Sequence, residues 1–449
     1  MSHELPRRGN FLLLHQDGPF AIRELITPLD NGAPKKTTIF DPMLLAWRRR
    51  ANSTERTSYQ QFREQLKILL DIQDFNQVQQ LISDPQRRAE VSQRAYRLLA
   101  GKYGIEGSSA EAIARINSYA QIADGVVEHE RIHVFPTFSK RLEMSNEIPQ
   151  ARNPVDLLLI PFDPRYHLNA RFEAQRKFVF MEFAGNIDQQ ERQTRIEENF
   201  DGFLGFLNEH VWTPETRYGG AKRAYLLTTH DDANFACVYS RTITEEEAQS
   251  LKLPLPPRQK ITLLQRRSFQ FDGRPIDMYV TIRKKNPAEK VIKLIRKGEE
   301  NPDVAVDDEL GLMGVLNSVH DVRAFLKHLT NSAARAGSFI TLEEISDTLS
   351  GGRYAGKIGS SPDVRMLKFF AKMGGMRIEF ILNTNQTYAD YEYRRGVSHP
   401  EFDVRRTIDS GVANLIFPLE IYGVNFKAQR DGLIREVRRK IETPQEILP

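Results

Sequence analysis

One cysteine, Cys237, in 449 residues excludes an internal disulfide framework. Apolar runs are short as well. None approaches the roughly 18 residues that a membrane-spanning helix needs, and the greasiest, residues 155–162, has the length of a strand and contains Asp156. The opening MSHELPRRGN lacks the apolar centre of a secretory signal. The expected compartment is therefore the cytoplasm, with no membrane as partner. An excess of one charge is missing too: 63 Lys plus Arg face 59 Asp plus Glu, a net charge of +4. That balance is too even to argue for general coating of nucleic acid. Local basic clusters are present at residues 48–50, 266–267, 284–285, 394–395 and 438–440, and such clusters are more often solvated faces than sites.

What remains is an ordinary folding composition, 40% apolar and 27% charged, which offsets chain entropy without a membrane. The length is enough for two or three domains. Residues 1–150 read as a helical N-terminal region, because Phe62, Leu66 and Leu69 fall at i, i+4 and i+7 and residues 110–127 carry a similar stripe. Residues 151–256 read as mixed α/β. Strands are expected at 157–160, 178–181, 225–227 and 235–238, and a helix is expected through Ile196, Phe200, Phe203 and Leu207. Pro254, Pro256 and Pro257 mark a boundary. Residues 257–449 then form the third region.

Within that third region Asp272-Gly273 joins strands at 261–271 and 276–282 in a tight hairpin. A helix over 288–297, an apolar strand at 310–316 and a helix through Val322, Phe325 and Leu329, capped by Ser318, follow. An acidic, helix-like stretch spans 342–349. Strands at 365–373 and 376–382 meet at Gly374-Gly375, and helices at 401–408 and 427–442 finish the chain. The expected fold class is α+β.

Chemistry concentrates here. A strand ends in Arg283-Lys284-Lys285, turns at Asn286-Pro287 and opens a helix with Lys293, Arg296 and Lys297, a set of cations suited to a triphosphate. Asp307-Asp308-Glu309 precedes the apolar strand that contains Gly311, and Glu379 lies mid-strand among apolar residues. If those strands are neighbours, Asp308 and Glu379 share a magnesium ion, whose ligands are oxygens.

In this order the residues resemble the RelA/SpoT family of alarmone synthetases over roughly 130 residues, 278–406. Arg283 with Lys285 resembles the family's Arg-x-Lys at a strand end, Lys293 its helix lysine, Asp308 with Gly311 its Asp-x-x-Gly element, and Glu379 with Thr384 its glutamate strand. The segment 396–399, ending in His399, is similar to its glycine and histidine element. The resemblance implies a nucleotidyltransferase-like mixed sheet flanked by helices. It also implies a transferase, a magnesium-dependent pyrophosphokinase that moves pyrophosphate from ATP to a ribose 3′-hydroxyl of a nucleotide or of an RNA such as tRNA. Asp308 and Glu379 would be the catalytic metal ligands, with Glu379 also taking the hydroxyl proton. Arg283 would stack on adenine, and Lys285 and Lys293 would neutralise phosphate. Lys368 and His399 join the nucleotide-binding set. Two departures stand out: Met313 replaces an arginine, and the family's tyrosine-bearing acceptor segment reads Val364 to Lys368 here, without the tyrosine. Tyr354 is the substitute aromatic platform.

Three alternatives compete. The altered positions suit a catalytically inactive nucleotide-binding module, with the N-terminal region as its protein-partner surface. His129-Glu130-x-x-His133 matches a zinc-protease pattern, against which stand Pro136, three residues on, and the lack of an obvious third ligand beyond Glu143 or Glu147. Residues 351–357 match the first seven positions of a P-loop, but Ile358 stands in the Ser/Thr position and a helix-like stretch precedes them. The hydrolase domain of the family's long members has no counterpart in the first 250 residues, so alarmone hydrolysis is not expected.

Overall fold

A computed structural model describes residues 9–15, 18–20, 41–217, 222–306, 309–354, 361–373 and 376–449. Within them the helices run, in chain order, α1 (Asp41–Arg50), α2 (Ser53–Leu70), α3 (Val78–Ser83), α4 (Pro85–Lys102), α5 (Ser109–His129), α6 (Pro154–Leu159), α7 (Leu168–Thr194), α8 (Ile196–Phe206), α9 (Glu245–Gln249), α10 (Pro287–Lys297), α11 (Asp303–Val306), α12 (Val319–Arg335), α13 (Asn385–Tyr393), α14 (His399–Asp409), α15 (Val412–Ile416), α16 (Leu419–Tyr422) and α17 (Phe426–Glu442). The strands are β1 (Lys222–His230), β2 (Cys237–Ile243), β3 (Gln259–Phe271), β4 (Arg274–Lys284), β5 (Leu310–Leu316), β6 (Thr341–Asp347), β7 (Leu367–Met373) and β8 (Met376–Thr384). The α+β class expected from the sequence is what the chain adopts.

The chain divides into two compact units, each assembled from separated segments. The first comprises Met1–Gln193, Asn286–Ala305 and Thr407–Ala428; the second comprises Thr194–Lys285, Val306–Arg406 and Gln429–Pro449.

The first unit is helical, and α7 is its axis. Phe178, Val179, Phe180 and Met181, expected to be a strand, lie in α7, and residues 157–159 lie in α6. The misreading has a physical cause. Residues 170–185 of α7 are buried on every side, so the run shows no 3.6-residue alternation, and a short apolar run alone does not separate a buried helix from a buried strand. Its buried polar side chains are paired instead. Lys177 Nζ lies 2.8 Å from Asp124 and donates to the Ile148 carbonyl at 2.9 Å. Tyr103 donates to Glu182 at 2.7 Å, and Lys102 forms an ion pair with the same carboxylate.

The second unit carries one eight-stranded sheet in the order β2-β1-β3-β4-β5-β8-β7-β6. Among the described strands only the β5–β8 pair is parallel. The β3–β4 hairpin closes at Asp272 and Gly273, whose φ values of 47° and 76° are the positive pair that such a two-residue turn requires. The Gly374-Gly375 turn lies outside the described residues. One face of the sheet packs aromatic rings: Phe380 meets Phe369 at 5.0 Å and Phe203 of α8 at 6.1 Å. The other face holds Ala224, Leu226, Leu264, Tyr279, Val315 and Tyr388, with Met313 and Tyr391 against them. The stretch at 342–349, expected to be helical, forms β6, an edge strand paired antiparallel to β7 with a register shift between Glu343 and Ser346. Ser318 caps α12 as expected, accepting from Asp321 N.

Candidate functional site

Register builds the site. Arg283 on β4 pairs with Gly311 on β5, and Gly311 pairs with Glu379 on β8. Lys368 on β7 stands opposite Ile381, two residues along β8 from Glu379 and therefore on the same face. Four adjacent strands thus bring one carboxylate and two cations together. Arg283 Nη2 lies 2.6 Å from Glu379 Oε2, and Lys368 Nζ lies 2.6 Å from Oε1.

Gly311 makes this crossing possible. A Cβ there would stand 3.0 Å from Arg283 Nε and 3.3 Å from its Cγ, so the missing side chain leaves the guanidinium a path across β5. The Glu379 side chain is 5% exposed, whereas that of Arg283 is 42% exposed; the pair therefore joins a buried carboxylate to a cation at the open side. Burial pushes the Glu379 carboxyl up. Lys368 and Arg283, helped by Lys285, outweigh that effect and hold it below the usual carboxylate range.

A wall of aromatic and acidic groups borders these charges. Thr384, read as the end of the glutamate strand, also caps α13 by accepting from Thr387 N at 3.2 Å. The helix it starts carries Tyr388, Tyr391 and Glu392. The Tyr391 and His399 rings are 5.1 Å apart, and His399 Nδ1 lies 3.2 Å from Asp403. Burial, reinforced by Glu392, raises the Tyr391 hydroxyl well above its ordinary value, and Arg283 acts in the opposite sense. Burial also raises Glu392. Tyr354 packs with Ile381 and Tyr391 against Val364, Met366 and Val397. Tyr391 and Glu392 escaped sequence reasoning; the available signal was Thr384 as a cap, which places Tyr388 and Tyr391 one helical turn apart.

The expected residues are thus gathered only in part. Arg283, Lys368 and Glu379 are in contact, Lys285 acts on Glu379 through its charge, Tyr354 packs against the same apolar cluster as Tyr391, and His399 adjoins Tyr391. Lys293 is a buried residue of α10, a helix of the first unit that packs on α5. Lys284, the middle member of the basic triplet, forms an ion pair with Glu197 and lies 3.9 Å from Glu309. Met313 belongs to the apolar cluster around Tyr388. Asp308 lies outside the described residues. Without it the described residues do not fit a magnesium ion, because Glu379 is a single carboxylate and each of its oxygens already faces a cation.

The two rival motifs are equally definite in place. His129 ends α5 and residues Glu130–Val134 form a π-turn, with the two imidazole rings 5.1 Å apart. Glu130 is buried, and Arg131 pairs with Glu128 at 2.9 Å. Among the described residues no group of three or more His, Cys, Asp or Glu side chains is arranged to hold a metal. The glycine loop at 351–357 does follow a strand, β6, contrary to expectation; residues 355–360 lie outside the described residues, and the next described element is β7, not the helix a P-loop needs. No helix among the described residues is long and apolar enough to cross a membrane. No family model, curated protein or solved structure matches this chain.

Proposed function

We propose that this chain binds ATP on the β4-β5-β8-β7 face of the second unit and transfers its terminal pyrophosphate to a ribose 3′-hydroxyl of a nucleotide or RNA acceptor. The observation that carries the reading is the Arg283-Glu379-Lys368 constellation across Gly311. A buried carboxylate among converging cations is an electrostatic arrangement suited to orienting a polyphosphate. In the transfer the acceptor oxygen forms a bond to the β-phosphorus, the bond from that phosphorus to the α,β-bridging oxygen breaks, and AMP leaves. The hydroxyl proton must go elsewhere.

Glu379 is ionised at neutral pH because two cations stabilise its charge. It can therefore accept the hydroxyl's hydrogen bond, and it becomes a stronger base when Arg283 or Lys368 shifts onto an incoming phosphate. Positioning and charge neutralisation carry most of such a transfer. Arg283, the most exposed of the three side chains, is the group for the adenine or its phosphates, and Tyr354 with Tyr391 is the aromatic surface for the acceptor. Magnesium enters this reading with the ATP phosphates.

The test is incubation with γ-labelled ATP and magnesium against GDP, GTP, ADP, ATP or bulk tRNA. Label on one acceptor with AMP, not ADP, as the co-product establishes the reaction and names its acceptor class. A second reading, an inactive nucleotide-binding module, draws on Met313 in the apolar cluster and on the ion pairs at both Glu379 oxygens. ATP binding with no transfer to any acceptor would decide for it.

A further inference from the structure

The last helix bears two clefts that the proposed transfer does not use. One, of about 560 Å³, is lined by Arg395, Arg435, Arg438 and Arg439 with Glu442 and Thr443. The other, of about 380 Å³, is lined by Arg405, Arg430, Arg435 and Arg438 with Asp431 and Ile434. Arg435 and Arg438 line both, so the two form one track. All of these residues belong to the second unit.

The track is built rather than accidental. Glu401 on α14 is wholly buried and gathers three groups: the Gly396 N–H at 3.1 Å, Arg405 at 3.1 Å, and Arg438 through Nε at 2.9 Å and Nη2 at 3.0 Å. A guanidinium has five N–H donors, so two bonds to Glu401 orient Arg438 without using up its fork. Glu442 holds Arg395 at 2.6 and 2.8 Å, and the Asp232 and Ala233 carbonyls accept from its Nη1 at 3.3 and 2.9 Å, which fixes Arg395 at the edge of the track. Arg435 and Arg439 are exposed. Along the helix, Arg430 to Arg439 spans about 13 Å, enough to pass several backbone phosphates at roughly 3.4 Å per strand charge.

Six arginines against one aspartate and one glutamate select a repeating anion, and the fork geometry of arginine selects phosphate. Among the described residues the lining contains no aromatic ring, whereas single-strand sites stack bases on such rings. Among the described lining residues the one large apolar side chain, Ile434, is buried, so these residues offer nothing to insert into a lipid surface. We infer that α17 and its neighbours Arg395 and Arg405 form a docking track for the phosphate backbone of a duplex nucleic acid. Recognition is by phosphate contacts and is independent of base sequence.

The experiment is fluorescence anisotropy of the full chain with a short labelled duplex, prepared once in RNA and once in DNA, titrated over a range of salt and without ATP. At least one duplex should bind, more tightly than its single strand, with an affinity that falls steeply with salt. The double variant Arg435→Glu/Arg439→Glu should weaken binding about tenfold or more and flatten the logarithmic salt slope by about 2. Lys222→Glu/Lys252→Glu makes the same charge change on exposed residues elsewhere in the second unit and should leave affinity within about twofold. Glu379→Gln should bind duplex like wild type, which separates failure here from failure of the proposed transfer. Lack of binding to either duplex, equal loss in both double variants, or binding only to mixed phosphatidylcholine and phosphatidylserine vesicles would overturn the inference.

Discussion

Each unit buries a glutamate, and the two carboxylates are solved differently. Glu173 of the first unit accepts from the Tyr422 hydroxyl at 3.0 Å and from Ser145 N at 3.1 Å, and burial raises its carboxyl above the ordinary value despite nearby Arg176. Glu379 of the second unit is held by two ion pairs and is lowered. Burial alone favours the neutral acid, and at Glu379 the converging cations reverse that. A helix core can accept a carboxyl in the first way for packing and hydrogen bonding. The second way assembles cations at a partly open sheet face, which is what an anionic ligand requires and a core does not.

The comparison breaks most visibly at Glu379. Glu379→Gln keeps the shape and removes the charge; label transfer from ATP should fall by about 10³-fold, and full transfer by this variant would reduce the constellation to a structural ion pair. A third kind of buried carboxylate sharpens the contrast next. Glu401 is paired as fully as Glu379 but serves packing of α14 and α17, so Glu401→Gln should lower unfolding free energy by about 3 kcal/mol in denaturant titration without changing ATP binding.

Gly311→Ala should act more mildly. The added Cβ presses on a flexible Arg283 side chain at 3.0 Å, so transfer should fall about fivefold with little change in melting temperature. A large loss of stability instead would assign Gly311 to packing.

Glu173→Gln should cost least, under about 1 kcal/mol, because its partners accept a neutral group. The two carboxylates also tilt stability against pH in opposite senses. Glu379, with a lowered native pKa, contributes stability above its ordinary value of 4.5 that is lost as pH falls through the native value. Glu173, with a raised native pKa, contributes stability below 4.5 that is lost as pH rises through the native value. Melting temperature followed across this range should show Glu379→Gln flattening the acid limb and Glu173→Gln removing the loss on the neutral side. Parallel profiles for both variants would erase the distinction.

Much of the second unit was legible residue by residue. Asp272-Gly273 demanded positive φ at two successive positions, Ser318 announced a helix start, and β5 and β8 read as bounded apolar runs. Glu379 was visible because a lone charge amid an apolar strand needs a partner. The partners were harder to see. Lys368 entered the nucleotide-binding set without any sign that it would meet Glu379, and Lys293 looked like a member of the phosphate set because it is close in sequence to Arg283; it belongs to the first unit. Residues 178–181 misread because burial on all sides erases periodicity, and 342–349 misread because an acidic edge strand lacks the alternation of a half-buried one.

By itself the sequence determined which segments are ordered locally, through turn residues, caps and apolar period, because those depend on interactions a few residues apart. It also determined that Glu379 would need compensation, since an isolated buried charge is costly wherever the chain goes. Only the tertiary structure decided which cations compensate it and which arginines line one track. Those outcomes depend on strand order and register across the β4-β5-β8-β7 pairing and on the meeting of α14 with α17, contacts between residues far apart in sequence whose choice rests on packing rather than on local propensity.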